Sequence, residues 1–197
     1  MICAVLLAAG SGRRFGSNKL LAPLAEGTPL ALAAARVLQA ALSDVVAVVR
    51  PQDHDLARLF AAQGVRVTPF SGADQGMGAS LAFGVRSTSA ANGWLVALAD
   101  MPFIQPATVA AVARLLQNGA PMAAPFYGSQ RGHPVGFGRK FFDDLAALEG
   151  DSGARALVER YAKLLSPLVC DDPGILIDID TPRDLQRHAS AGGARCS

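Results

Sequence analysis

Short, continuous apolar runs alternate along the chain with longer segments in which apolar residues recur every three or four positions. The runs "ICAVLLA", "VVAVV" and "WLVALA" predict strands that are buried on both faces of a sheet. The segments "TPLALAAARVLQAAL", "DHDLARLFAAQG" and "QPATVAAVARLLQNG" predict helices, with Thr28 as the cap of the first one. Because strand and helix alternate in this way, the pattern predicts a mostly parallel sheet with helices on both faces.

The pattern is less regular towards the end of the chain. We interpret "APMAAPFY" as a strand, "RKFFDDLAAL" and "SGARALVERYA" as helices, and "ILIDIDTPRDLQRH" as a strand, an acidic turn and a helix. The last residues, "ASAGGARCS", are small and polar, which is typical of a frayed terminus. The whole pattern predicts a single α/β domain with Rossmann-like topology over residues 1–188 and a flexible tail over residues 189–197.

Composition narrows the class of protein. The chain has 18 Lys and Arg against 16 Asp and Glu, a formal charge of +2, which argues against nucleic acid as a partner. Cys3, Cys170 and Cys196 are too scattered for a disulfide framework or a zinc site. The apolar start lacks a basic segment, and neither it nor any other stretch is long enough to span a bilayer. We therefore expect a cytoplasmic protein with no membrane partner.

The candidate functional residues follow strands of the predicted sheet. In parallel sheets, ligands bind outside the carboxyl ends of the strands. The glycine-rich stretch "LLAAGSGRRFGSNK" follows the first strand, Asp100 follows "WLVALA", and Asp178 and Asp180 follow "ILI". The glycine spacing G-x-G-x-x-x-G excludes a dinucleotide fingerprint, and the residues around Lys19 exclude a Walker loop. What remains is either a phosphate-binding loop with Arg14 and Lys19 as its cations or a plain turn with solvated basic residues.

A family resemblance favours the phosphate-binding loop. "LAAGSGRRFGSNKLL" closely resembles the signature L-A-x-G-x-[SG]-x-R-[MF]-G-x-x-K of nucleotidyltransferases that join a nucleoside triphosphate to a phosphorylated acceptor. "GADQGMGASLAFGV" and "ALADMPFI" resemble two further segments of this family. "RGHPVGF", "LEGDSGARAL" and "DIDTPRDL" are similar to its cytidylyltransferase branch, which acts on molybdopterin. The resemblance covers nearly the whole chain and implies the fold of the nucleotide-diphospho-sugar transferases.

The resemblance also implies a role for individual residues. Arg14 and Lys19 are expected to be catalytic, and Asp100 and Asp180 to hold Mg²⁺, with Asp178 as the alternative to Asp180. Either aspartate instead has an ordinary role as a helix cap or turn residue. The expected nucleotide-binding residues are Leu7, Ala8, Ala9, Gly10, Ser11, Gly12, Arg13, Asp74, Gly76, Gly78 and Ser80.

Two residues in the second half of the chain, His133 and Arg155, each allow two interpretations. His133 either contacts the acceptor substrate or only caps a strand before Pro134. Arg155 is expected at the start of a helix that Ser152 caps, where a cation opposes the helix dipole. Arg155 therefore either meets an anionic partner or is an ordinary solvated arginine.

The resemblance implies transfer of CMP from CTP to the terminal phosphate of molybdopterin cofactor, with release of pyrophosphate. We expect CTP rather than GTP because Ala9 stands where guanylyl-transferring relatives carry glycine. The alternatives are the same chemistry with GTP, or on a sugar phosphate or polyol phosphate, and a non-catalytic molybdopterin carrier. A carrier has no use for Lys19 beside two carboxylates, which favours an enzyme. A molybdoenzyme or its maturation factor is the expected protein partner.

Overall fold

A mixed β-sheet lies at the centre of the protein. The computed structural model describes residues 1–10 and 18–189, and within these ranges the sheet has eight strands. Their order across the sheet is β3-β2-β1-β4-β7-β5-β6, and β8 also pairs with β5. In chain order the strands are β1 (Ile2–Leu7), β2 (Val45–Val49), β3 (Arg66–Pro69), β4 (Gly93–Leu98), β5 (Met122–Tyr127), β6 (Gln130–Arg131), β7 (Val135–Gly138) and β8 (Leu165–Val169).

The strands of the first half are parallel, and their carboxyl ends are aligned. β1 pairs with both β2 and β4, and Leu7 lies opposite Val48 on one side and Leu98 on the other. β1, β2 and β4 are apolar throughout because both faces of the sheet are covered there. Their alignment brings the residues that follow β1, β2 and β4 to one edge of the sheet.

Helices cover the sheet on both faces and form two apolar clusters with it. Leu30, Leu56 and Val109 pack into one cluster, and Leu81 and Leu145 pack into the other. Among the described residues, no helix combines the length and the apolar character needed to cross a bilayer. The helices are α1 (Leu30–Gln39), α2 (His54–Ala62), α3 (Met77–Ser87), α4 (Pro106–Gln117), α5 (Phe142–Ala146), α6 (Arg155–Arg160) and α7 (Pro182–Ala189).

The prediction of an α/β domain with a mostly parallel sheet and helices on both faces is confirmed. Two predicted helix caps are wrong. The N-cap of α1 is Pro29, and the carbonyl of Thr28 instead accepts a hydrogen bond from the Leu24 N–H. The N-cap of α6 is Ala154, two residues after Ser152.

The strand predicted over "ILID" is also wrong. Residues 173–176 form a 3-10 helix, and residues 177–180 form no regular element. The cause is Asp172, which is buried and accepts hydrogen bonds from the Gln105 N–H (2.9 Å), the Thr108 hydroxyl (2.7 Å) and the Gly174 N–H (3.1 Å). These bonds hold the segment against the start of α4 instead of in the sheet.

The sheet is completed by three strands that the hydrophobic pattern does not predict, β6, β7 and β8. β7 is antiparallel to both β4 and β5, and β8 runs parallel to β5. β8 contains Ser166 and Pro167, which interrupt its apolar pattern, and it is only partly buried. Strands that are short or polar in this way carry too weak a signal to be found from the pattern alone.

Close contact between α3 and the sheet depends on Gly84. A Cβ atom at this position would lie 2.6 Å from Val5 Cγ1 and 2.9 Å from Val48 Cγ2, far inside van der Waals contact. The glycine therefore lets α3 pack directly on β1 and β2. Because the amino end of α3 lies at the same edge as the carboxyl ends of these strands, Gly84 also helps to place that end.

We expect Gly84→Ala to destabilise the protein. Overpacking a dense core costs about 1–3 kcal/mol, which offsets or exceeds the roughly 1 kcal/mol that Ala gains over Gly in a helix. Urea unfolding of the wild type and of Gly84→Ala measures the net cost. In a Val5→Ala background, which removes the nearest methyl group, the same substitution should cost less. An equal cost in both backgrounds would show that the contact with Val5 is not the cause.

Candidate active site

Lys19 lies between two carboxylates at the carboxyl edge of the sheet. Its Nζ atom donates hydrogen bonds to Asp100 Oδ2 (2.9 Å) and to Asp180 Oδ1 (2.7 Å). Lys19 begins a short 3-10 helix, Lys19–Leu21, in which Asn18 Oδ1 accepts a hydrogen bond from the Leu20 N–H and the Leu20 side chain is buried. This turn holds the start of the lysine side chain, which is only 13% exposed.

Asp100 and Asp180 are far apart in sequence, and a backbone hydrogen bond joins their segments. The Ile179 N–H donates to the Asp100 carbonyl (2.9 Å), and the Ile179 side chain is buried. Asp100 follows β4 after one residue, so its position is fixed by the sheet. The two carboxylates therefore reach Lys19 from a strand end and from the start of α7.

Thr181, not Asp180, caps α7. The Asp184 N–H donates to Thr181 Oγ1 (3.3 Å), and Asp184 Oδ2 accepts hydrogen bonds from the Thr181 N–H (2.7 Å) and the Asp180 N–H (3.1 Å). This is a capping box, which satisfies the first N–H groups of the helix. The Asp180 carboxylate is thus free to pair with Lys19. Asp178, the alternative to Asp180, is exposed, and the segment that contains both residues is not a strand.

The charges around Lys19 are only partly balanced. Burial lowers the pKa of Lys19, but the hydrogen bonds that its ammonium donates to Asp180 and Asp100 outweigh this effect, so the pKa is raised and the ammonium stays charged at neutral pH. Asp100 Oδ1 is buried and has no hydrogen-bond partner among the described residues. A buried oxygen of this kind is costly unless a donor or a cation reaches it. The described residues hold no group of three or more His, Cys, Asp or Glu placed to bind a metal ion.

A cavity of about 410 Å³ opens beside Asp100. Its walls come from the ends of β1, β2 and β4, from the amino end of α3 and from the segment before α6. This is the edge at which parallel sheets bind ligands. The lining residues are Leu7, Ala9, Gly10, Arg50, Ala73, Asp74, Gly76, Met77, Ser80, Leu98, Asp100 and Asp151.

Most of the described residues that the sequence predicts to bind nucleotide line this cavity. Ala8 does not: it is buried, and its N–H donates to the Val48 carbonyl (2.9 Å). Gly78 is buried against the backbone of Glu149, and its N–H donates to the Gly150 carbonyl (2.7 Å). The predicted residues that do line the cavity are Leu7, Ala9, Gly10, Asp74, Gly76 and Ser80. Ser11, Gly12, Arg13 and Arg14 lie outside the described residues.

Gly76 and Gly78 allow the start of α3 to pack tightly on residues 149–151. Gly76 has a φ of +110°, and a Cβ atom there would overlap the Gly150 backbone. At Gly78 a Cβ atom would lie 2.5 Å from the Glu149 carbonyl oxygen. This packing brings Asp151 to the cavity wall. No pattern in the sequence pointed to Asp151.

Arg50 is the second lining residue that sequence reasoning missed. It follows β2 directly, and its side chain is only 15% exposed. Nε donates to the Ala9 carbonyl (2.8 Å), and Nη1 pairs with Asp74 Oδ1 (2.8 Å). The available signal was its position, since a charged residue directly after a buried parallel strand lies at the ligand-binding edge.

A second cavity, of about 240 Å³, shares Leu7, Met77 and Leu98 with the first. Most of its lining is apolar, but His133, Arg131 and Arg155 also reach it. In chain order the lining residues are Leu7, Met77, Leu81, Val96, Leu98, Arg131, His133, Val135, Ser152, Gly153, Ala154, Arg155 and Val158.

His133 and Arg155 differ in burial and in their interaction partners. Burial, with a smaller contribution from nearby Arg131, lowers the pKa of His133, so its imidazole is neutral at pH 7. His133 Nδ1 is buried with no hydrogen-bond partner among the described residues, and its backbone N–H donates to the Ile175 carbonyl. Arg155 is exposed and pairs with Glu159 on its own helix (2.8 Å).

Comparisons of the sequence with known proteins agree on one family. Residues 4–164 match the model of the MobA-like NTP transferase domain. The purine catabolism protein PucB of Bacillus subtilis is 31% identical, over 95% of this chain and 97% of its own. The nicotine blue oxidoreductase of Paenarthrobacter nicotinovorans is 29% identical, over 94% of this chain and 95% of its own.

Solved structures agree on the fold. Rv0371c of Mycobacterium tuberculosis is 28% identical and superposes with a TM-score of 0.84, covering 96% of this chain and 97% of its own. A nucleotidyl transferase of Methanothermobacter is 23% identical, with a TM-score of 0.81 and 97% of both chains covered, and at this identity it supports the fold alone. With the match over residues 4–164, these comparisons show that the chain belongs to the MobA-like NTP transferase family and is a nucleotidyltransferase.

Proposed function

We propose that this enzyme transfers CMP from CTP to the terminal phosphate of molybdopterin cofactor and releases pyrophosphate. The observation that carries the proposal is the Lys19 ammonium, held by Asp100 and Asp180 beside a cavity of about 410 Å³ that Asp100 lines. A positive charge fixed by two carboxylates at the ligand-binding edge suits phosphate chemistry.

The reaction needs little from the protein beyond placement and charge. An oxygen of the acceptor phosphate attacks the α-phosphorus of CTP, a new P–O bond forms, and the bond from the α-phosphorus to the bridging oxygen breaks. The electron pair of that bond leaves with pyrophosphate. Because a phosphate monoester is largely ionised at neutral pH, no general base is required. Lys19 would stabilise the charge that develops on the phosphates, together with Arg14, which lies outside the described residues.

The residues around Lys19 also fit a divalent cation. Mg²⁺ prefers a couple of carboxylates and takes its other ligands from water and substrate phosphates. Asp100 and Asp180 supply such a pair, and the buried, unpartnered Asp100 Oδ1 is an oxygen that a cation would satisfy. Rv0371c has been solved as a complex with manganese, which supports a metal requirement. When bound, Mg²⁺ would neutralise phosphate charge, and Asp100 and Asp180 would hold it there.

The second cavity is our candidate for the acceptor site. It adjoins the nucleotide cavity along Leu7, Met77 and Leu98, so a bound acceptor would lie next to the nucleotide. Its apolar lining suits a flat ring system, while Arg131 suits an anionic group. The neutral His133, with Nδ1 unpartnered, is able to hydrogen-bond to such a ligand. A molybdoenzyme or its maturation factor would then receive the product in the cytoplasm.

The nucleotide is tested by comparing CTP with GTP. Ala9 lines the cavity, and its side chain would bring the wall closer to the base than glycine does. We expect kcat/KM with molybdopterin and Mg²⁺ to favour CTP by about ten- to two-hundred-fold, the range that the fit of one small group provides. Ala9→Gly should narrow this gap. Release of pyrophosphate is the measurement, and equal use of CTP and GTP by the wild type would contradict the cytidylyl assignment.

The metal is tested at Asp100. Asp100→Asn removes one negative charge at nearly constant shape, so we expect the variant to need a Mg²⁺ concentration about tenfold higher or more for half of its activity. Asp143→Asn is the matched control, because Asp143 is exposed on α5 and lines neither cavity. Activity titrated with Mg²⁺ compares the two variants. If Asp100→Asn titrates like Asp143→Asn, Asp100 has a purely structural role.

A further inference from the structure

Residues 172–180, which we call the connecting segment, lie between β8 and α7 and form no strand. The segment ends at Asp180, whose Oδ1 atom accepts a hydrogen bond from Lys19 Nζ (2.7 Å). The Asp180 side chain is 47% exposed, so little packing holds it directly. The position of this carboxylate therefore depends on what holds the connecting segment.

Asp172 holds the beginning of the connecting segment. Among the described residues it is the only acidic or basic residue that is buried, with 2% of its surface exposed. Its carboxylate accepts hydrogen bonds from the Gln105 N–H, the Thr108 hydroxyl and the Gly174 N–H. Burial of a carboxylate is costly unless donors of this kind reach it. The Gln105 side chain makes no capping bond, so Asp172 acts as the cap of α4, where the helix dipole favours a negative charge.

The same carboxylate sets the direction of the connecting segment. Asp172 is the N-cap of the 3-10 helix Pro173–Leu176, through its bond to the Gly174 N–H. One side chain thus ties this turn to α4 and also caps the turn itself. Without it, the turn would lose both its cap and its attachment.

Backbone hydrogen bonds carry this placement to the candidate site. In the turn, the carbonyl of the buried Ile175 accepts from the His133 N–H (3.0 Å). Further along, the N–H of the buried Ile179 donates to the Asp100 carbonyl (2.9 Å). The connecting segment therefore contacts a residue of each cavity before it reaches Asp180.

We propose that Asp172 is a positioning residue, which holds the connecting segment on the path that brings the Asp180 carboxylate to Lys19. The inference rests on the proposed role of Asp180 in holding Mg²⁺. Asp172 lines neither of the two cavities that the described residues form, so it acts through the segment and not on the substrate. Residues that orient a metal ligand typically contribute about 10- to 100-fold to metal affinity or activity.

The inference is tested with Asp172→Asn. The amide keeps the shape, but its nitrogen cannot accept, so at least one of the three donors loses its partner. We expect the variant to need a Mg²⁺ concentration about tenfold higher or more for half of its activity. We also expect hydrogen exchange in residues 173–180 to be at least tenfold faster in the metal-free protein, a readout that does not depend on activity.

Thr108 provides a second pair of variants, which keeps the test decisive if Asp172→Asn does not fold. Thr108→Val removes one of the three hydrogen bonds at constant shape, whereas Thr108→Ser keeps the hydroxyl. The valine variant should change both readouts in the same direction as Asp172→Asn. The serine variant should keep the wild-type values.

Thr88→Val is the matched control for a loss of stability alone. Thr88 is buried, and its hydroxyl accepts a hydrogen bond from Trp94 Nε1 (2.9 Å). Trp94 belongs to one apolar cluster, whereas Ile175 and Ile179 of the connecting segment belong to the other. Thr88→Val should lower the melting temperature and leave the Mg²⁺ dependence and the exchange of residues 173–180 unchanged.

Asp180→Asn separates a failure of the inference from a failure of the proposed function. If Asp180→Asn needs more Mg²⁺, but Asp172→Asn and Thr108→Val lose only thermal stability, as Thr88→Val does, then Asp172 is structural and the inference is overturned. If Asp180→Asn itself titrates with Mg²⁺ like the wild type, the proposed metal role of Asp180 fails, and the inference fails with it.

Discussion

The Lys19 ammonium, bonded to both Asp100 and Asp180, is the interaction on which the rest of the site depends. Two carboxylates this close to each other would repel without a cation between them. With Lys19 in place, the end of β4, the turn before α7 and the segment after the glycine-rich loop are held at one point. The fold thus brings three distant parts of the chain together at one candidate site.

A second charged pair, Arg50 with Asp74, lies at the same edge of the sheet. At Lys19 one cation is shared by two anions, whereas at Arg50 one cation serves a carboxylate and a backbone carbonyl. A buried guanidinium suits the second task because its planar donors are fixed in direction, and an ammonium suits the first because it acts as a point charge. The cavity between Asp100 and Arg50 is therefore polar at its extremes and apolar along Leu7 and Leu98.

The sequence alone selects Lys19, Asp100 and Asp180, and the structure brings these three side chains together. Lys19 and Asp100 follow predicted strands with clear apolar runs, and in a parallel sheet the residues after such strands lie at the ligand-binding edge. Asp180 was selected through the family resemblance. The strand predicted before it is absent, because the buried Asp172 holds that segment against the start of α4.

What the sequence could not predict depends on contacts between distant segments. Arg50 became a candidate only when the register of β1 and β2 placed it beside Ala9, and Asp151 only when Gly76 and Gly78 packed against its neighbours. β7 has only four residues, two of them glycines, and Ser166 and Pro167 interrupt the apolar pattern of β8, so their pairing with β4 and β5 is decided by the space that the other strands leave. Such contacts are set by the whole sheet rather than by any local pattern.

The central claim is that the Lys19 charge acts on the phosphates during the transfer, and one comparison tests it most directly. Pyrophosphate release with CTP, molybdopterin and Mg²⁺ is measured for the wild type, Lys19→Ala and Lys163→Ala, whose lysine is exposed. Removing a charge that stabilises the transition state typically costs about 10²–10³ in rate, so Lys19→Ala should turn over at least tenfold more slowly and Lys163→Ala at the wild-type rate. Thermal unfolding confirms that each variant is folded. A folded Lys19→Ala enzyme with unchanged turnover would contradict the account.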